Sequence, residues 1–193
     1  MKQILNAMLN CIETCVPGIN VKDLATFDVD YIFTQVRAKS VGESATILSA
    51  CVECNEENEV KINLEDIKME SSEIKTKVIP ITDKINVEMK YPTYNDMLGN
   101  PNFMKQGTNQ TEILFESIVS CMHSVQTEDD NIVISQEPRE EIEKFVNSLN
   151  NEQLTKITEF VESMPTMKHE EKFTCKKCKH ENTVELKGLQ DFF

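Results

Sequence analysis

Two Cys-x-x-Cys pairs, Cys51 with Cys54 and Cys175 with Cys178, are the residues of this chain whose types and spacing could do chemistry. The first pair opens CVECNEENEVKINL and the second opens CKKCKHENTVELKG. In each, a polar segment containing Glu-Asn follows the cysteines, and an alternating run follows that segment. Structural zinc takes four soft ligands in a tetrahedron, and a Cys-x-x-Cys turn can lay two thiolates on one ion. One pair is half a shell; the two together complete it. Lys176, Lys177 and Lys179 suit such a centre, because Zn(II) with four thiolates is formally dianionic and nearby ammonium groups offset that charge. His180 is a substitute ligand, although four sulfurs already satisfy the ion. An iron–sulfur cluster also takes four thiolates and stays open as the second cofactor. Redox catalysis ranks below both. A thioredoxin-like pair sits at a helix start, where the dipole lowers the nucleophile's pKa, whereas both pairs here lead into strand-like runs.

Between Cys54 and Cys175 lie 120 residues. If both knuckles grip one ion, the last twenty or so residues return to the sheet near residues 45–65, and everything between becomes an insertion closed by the metal. Closing that loop lowers the entropy of the unfolded chain and adds coordination energy. Leu186, Leu189, Phe192 and Phe193 then have a place to dock.

The elements that must position the knuckles follow from periodicity. Residues 2–15 carry Ile4, Leu5, Met8, Cys11, Ile12 and Cys15 at helical spacing, and Pro17-Gly18 ends the run. Cys11 and Cys15 are read as small core residues on that apolar face. Residues 26–43 read as a second helix with Thr26 as cap, Asp28 in the first turn, Arg37 and Lys39 near the end, and Gly42 as the stop. Alternating runs at 45–52, 60–64, 74–81 and 85–91 suggest one antiparallel sheet of about four strands. A short helix is expected around 94–98 and a clear one over 109–125, with Cys121 in its core stripe and His123 on its surface. Over 138–164, one kinked helix or two consecutive ones fit equally well. The fold class is therefore α+β: a small antiparallel, zinc-ribbon-like sheet packed with a helical portion. Residues 1–43 would hold the N-terminal helices and 44–91 the sheet with the first knuckle. Residues 92–165 would be the helical insertion, and 166–193 the second knuckle and a C-terminal strand returning to the sheet.

Composition narrows the function classes. The 193 residues carry a formal charge of −13 and no Trp. A surface this acidic is repelled by nucleic acid and by anionic membranes. No signal-peptide core and no apolar run of spanning length stands out, so the chain is read as remaining in a reducing compartment. Seven cysteines there, an odd number, do not suggest a disulfide framework. Catalytic constellations are missing too. There is no Gly-rich phosphate loop; His123, His169 and His180 form no zinc-protease motif; Ser117, Ser120 and Ser124 lie near His123 without a nucleophile elbow; and Asp129-Asp130 opens no calcium-binding loop. An enzyme is not expected, nor a small-molecule substrate.

The segment FDVDYIFTQVRAKSVGE, the CVEC knuckle and the closing FTCKKCKHENTVELKGLQDFF together resemble the baseplate hub protein family of T-even-type bacteriophages. The more specific part is Phe27 to Ser40, since paired knuckles occur in many unrelated folds. The resemblance implies a non-enzymatic component of the contractile-tail baseplate, working by contact with other hub and wedge proteins. It also implies residence in the virion tail after assembly in the host cytoplasm. Phe27, Asp28, Asp30, Tyr31, Arg37, Lys39 and Ser40 carry over as a structural or docking signature, with Leu189, Phe192 and Phe193 as a second contact element. A hub assembly factor absent from the finished particle is one alternative. A zinc-ribbon module that binds nucleic acid or regulatory proteins is another.

Overall fold

The computed structural model describes residues 2–71, 76–99 and 109–192, and among them six α-helices and three antiparallel sheets make an α+β chain. In order these are helix α1 (Lys2–Cys15), helix α2 (Thr26–Ser40), strands β1 (Ser44–Ala50), β2 (Glu57–Asn63), β3 (Lys68–Glu70), β4 (Val78–Pro80) and β5 (Asn86–Met89), and helices α3 (Tyr94–Gly99) and α4 (Gln110–Cys121). Strands β6 (Met122–Gln126) and β7 (Asn131–Val133), helices α5 (Arg139–Ser148) and α6 (Asn151–Glu162), and strands β8 (Thr166–Thr174) and β9 (Glu181–Lys187) complete the chain. The fold divides into two units: residues 3–71 with the C-terminal stretch from Pro165, and the described residues between 72 and 164.

In the first unit, among the described residues, β1 pairs with β2 alone, while β3, β8 and β9 form a separate sheet in that order. Their alternation explains the core. Along β2, Asn58, Val60 and Ile62 are buried while Glu57, Glu59, Lys61 and Asn63 face out. Val60, Ile62, Leu64, Met167, Leu186 and Phe192 meet in one apolar cluster, with Ala38 of α2 among them and Tyr31 and Leu189 at its margin. Thr34 of α2 is buried and donates to the Met167 sulfur at 3.6 Å. Asp28 in the first turn of α2 and Arg37 and Lys39 in its last complement the helix dipole, but Thr26 is the first helical residue and not its cap; the N-cap position is Ala25.

In the second unit β4, β5, β6 and β7 form an antiparallel meander over a core that includes Val87, Met89, Ile118, Met122, Ile157 and Phe160. Asn150 and Gln153 make a reciprocal capping box, each side chain accepting from the other's backbone N–H at 2.9 Å, and this starts α6 as a helix distinct from α5.

Three further expectations are corrected. The strands of residues 44–91 divide among three sheets, because β8–β9 and β6–β7, remote in sequence, supply edges that local alternation cannot reveal. The helix expected over 109–125 stops at Cys121, where Met122 turns into a strand. There Val125 pairs with Val87 and Ser124 with Glu88, and Ser124 and Gln126 both donate to the Glu88 carboxylate. Cys11 and Cys15 are exposed, because Met8, Leu9 and Ile12 define the buried stripe of α1 and the cysteines lie on its flank. Cys121 is buried as expected, its S–H donating to the Met164 sulfur at 3.8 Å, and burial pushes its thiol up to about 12. Brief alkylation of the native protein, mapped by mass spectrometry, should therefore modify Cys11 and Cys15 and spare Cys121 until the chain is unfolded. Early modification of Cys121 would contradict this packing.

Candidate metal centre

β1 runs straight into Cys51, and β8 runs straight into Cys175. Each knuckle then closes with the same pair of backbone bonds. Cys51 N–H donates to the Glu56 carbonyl and Asn55 N–H to the Cys51 carbonyl, both at 2.9 Å. Cys175 N–H donates to the His180 carbonyl at 2.9 Å and Lys179 N–H to the Cys175 carbonyl at 3.1 Å. The residue after each second cysteine is left-handed, Asn55 at φ 57° and Lys179 at φ 64°. Asn visits that region readily; Lys does so at some cost, which the closed turn must hold. The two halves of the site are thus one turn built twice.

The turns bring all four sulfurs together, within 4.8 Å of one another. The short contacts cross between the halves: Cys51 Sγ to Cys178 Sγ and Cys54 Sγ to Cys175 Sγ, each at 3.6 Å. A tetrahedron with metal–sulfur bonds of about 2.3 Å needs its sulfurs about 3.8 Å apart. The donor set and its spacing therefore fit a single ion held by four thiolates. Cys51 and Cys175 are buried and Cys178 is exposed. His180 serves through its main chain, and the gathered ligand atoms are the sulfurs alone.

The electrostatics of the cluster are compatible with a bound cation. The Cys178 backbone N–H leads the influences on Cys175 and, against desolvation, brings that thiol down to about 6, with the Lys177 amide assisting. The His180 amide pulls Cys178 the same way, but desolvation and the neighbouring thiols of Cys54, Cys51 and Cys175 push it up to about 12. Thiolates this close repel one another, and a positive ion among them would favour their charged forms. Lys176 and Lys177 both pair with Glu56 of the opposite knuckle, at 3.5 and 3.3 Å, and Lys177 foremost holds that carboxyl below its usual range.

Two residues that sequence reasoning passed over complete the centre. Asn58 Oδ1 accepts the Lys176 N–H at 2.9 Å, while its Nδ2 donates to the Glu56 carbonyl at 2.7 Å and approaches Cys175 Sγ at 3.8 Å. Asn182 repeats the arrangement: its Oδ1 accepts the Val52 N–H at 3.0 Å and its Nδ2 donates to the His180 carbonyl at 2.9 Å. Each asparagine braces its own turn and grips the opposite one. Both are buried, 4% and 5% exposed. The available signal was positional, since each stands seven residues after the first cysteine of its knuckle.

The remaining residues singled out from sequence lie elsewhere in the same unit. On α2, Phe27, Asp30, Tyr31 and Arg37 are half-buried and Asp28, Lys39 and Ser40 exposed. Lys39 pairs with Glu65, Ser40 donates to the Val36 carbonyl at 2.7 Å, and partial desolvation raises the Asp28 carboxyl. Leu189 is half-buried and Phe192 is part of the unit's own core; Phe193 lies outside the described residues. No described helix is long and apolar enough to cross a membrane. Compared with known proteins, residues 1–193 match the model of a family described as T4 bacteriophage base plate protein. No curated protein and no solved structure matches the chain.

Asn58→Ala and Asn182→Ala should each cost about 1–3 kcal/mol by stranding a buried amide and carbonyl. Each should also weaken metal retention about 10–100-fold against a chromophoric chelator. Glu59→Ala, on the outer face of β2, should leave retention unchanged. An effect from one asparagine only would contradict their equivalence. Because each ligand must lose its proton, retention should fall as pH falls.

Proposed function

Because the chain belongs to the T4 bacteriophage base plate protein family, we propose that it is a structural subunit of the baseplate hub of a contractile tail, working through contacts with other hub and wedge proteins. The family match over the whole chain is the observation that carries this reading. The proposed location follows from it: the tail baseplate of the virion, after assembly in the host cytoplasm. The work proposed is adhesion, with no catalytic step. On α2 the exposed Asp28, Lys39 and Ser40 are offered to a partner, while Phe27, Asp30, Tyr31 and Arg37 set the helix against its own unit. Leu189 and Phe192 support that surface from the C-terminal end, and Phe193 is proposed as a further contact residue.

The same proposal gives the four cysteines one Zn(II) ion with a structural role. Zinc supplies the positive charge and tetrahedral preference that four close thiolates require. An iron–sulfur cluster distributes its thiolates over separate iron atoms, which sets those sulfurs further apart than sulfurs on one ion. The compact spacing therefore favours zinc. Nucleic-acid binding through Lys176, Lys177 and Lys179 is disfavoured by the charge of −13 and by the engagement of Lys176 and Lys177 with Glu56.

Elemental analysis of purified protein should find about one zinc per chain, and Cys178→Ser should remove most of it. Iron with visible absorption would select the cluster. The protein should also co-purify with intact baseplates. Recovery only with hub intermediates would make it an assembly factor, and absence from both would overturn the structural reading.

A further inference from the structure

β1 is an edge strand. It pairs with β2 along its whole length on one side, and no described strand lies on the other. The direction of its backbone groups can be read from the bonds at its two ends. Glu43 accepts the Leu64 N–H at 2.7 Å, and Cys51 donates to Glu56 at 2.9 Å, so odd-numbered residues face β2. By the alternation of an antiparallel ladder, Ser44, Thr46, Leu48 and Ala50 direct their N–H and C=O groups to the free side.

Proteins blunt such edges with charge, proline or a covering element. The second hairpin does so. β8, which leads into its knuckle as β1 leads into the first, is covered at Thr166–Lys168 by β3 and carries Glu170, Glu171 and Lys172 beyond it. β1 has neither protection. From Ser44 to Val52 there is no charged residue in a chain that is 27% charged, and Leu48 and Val52 are 69% and 77% exposed. The turn bonds of the knuckle close one end of the hairpin, which lowers the ordering cost of adding a strand.

We propose that the free edge of β1 receives an extended segment of a neighbouring tail protein as an added strand; this rests on the baseplate reading above. The chemistry of the site defines the segment. Main-chain groups pair with Thr46, Leu48 and Ala50, and an uncharged stretch with an apolar side chain lies beside Leu48. Glu43 and Glu53 bracket the two ends of the edge, and on the outer face of β2 Glu57 and Glu59 outnumber Lys61, so the segment carries Lys or Arg at its ends. A second copy of this chain is the wrong occupant. Antiparallel self-pairing would set Glu43 of one copy towards Glu53 of the other.

The test uses the full-length protein, wild type or Leu48→Lys, added to extracts of cells infected with a phage that lacks it. Incorporation into baseplates is measured by mass spectrometry and amide protection by hydrogen exchange. Wild type should be incorporated, with slowed exchange at Thr46, Leu48 and Ala50. Leu48→Lys should be incorporated at least tenfold less, and Lys61→Glu, on β2, at the wild-type level. Both variants should keep the metal content of the wild type. Equal incorporation of Leu48→Lys with unchanged exchange at the three amides would overturn the docking site and leave the baseplate reading standing. Failure of the wild type itself to enter any tail assembly would overturn the baseplate reading and the proposed partner with it.

Discussion

Bringing Cys51, Cys54, Cys175 and Cys178 within 4.8 Å of one another sets a charge problem on which the rest of the unit depends. Thiolates at that range repel one another, and a divalent cation among them would turn that repulsion into attraction. The surrounding groups are arranged for that outcome. Amides of Lys177, Cys178 and His180 are directed at the sulfurs, and Lys176 and Lys177 stand beside them. On the zinc reading the ion is a structural clasp, and its energy is folding energy.

The clasp joins two hairpins that are near-equivalent in detail. Both have the same two turn bonds, the same left-handed residue after the second cysteine and the same asparagine reaching across. The exchange of asparagines means that neither turn is fully satisfied alone. A chain that closes 120 residues between Cys54 and Cys175 incurs a loop entropy that grows only logarithmically with length. The cross-hairpin amides and the cluster around Ile62, Leu186 and Phe192 offset it, joined on the zinc reading by coordination. The equivalence ends at the outer edges. β8 is partly covered and charged, whereas β1 has no described strand on its outer side and no charged residue, and that asymmetry is where the unit differs from a self-contained staple.

Much of this was legible in the sequence because it rests on local rules. Two cysteines three apart, an alternating run after them, and the break at Asn150-Asn151 each report on a turn, a strand or a cap without reference to the rest of the chain. What depended on distant partners was not legible. Met122 and Val125 sit at spacings that serve a helix as well as a strand, and only the pairing with β5 decides between them. The apolar stripe of α1 is broad enough to include Cys11 and Cys15, and only its packed neighbours show that the buried face lies to one side. Asn58 and Asn182 look like ordinary hairpin polar residues until their partners on the other hairpin are seen. Phe27 to Ser40 pointed to the family; within it Phe27, Asp30, Tyr31 and Arg37 are half-buried while Asp28, Lys39 and Ser40 are exposed, a difference that residue types alone do not reveal.

One ion shared by four thiolates from two hairpins has a definite signature in X-ray absorption at the metal edge of the protein as purified. A zinc edge with about four sulfurs at about 2.3 Å and no second metal nearby is expected. An iron edge with a metal–metal distance, a shell containing nitrogen or oxygen, or metal-free protein with disulfides between the hairpins would contradict it.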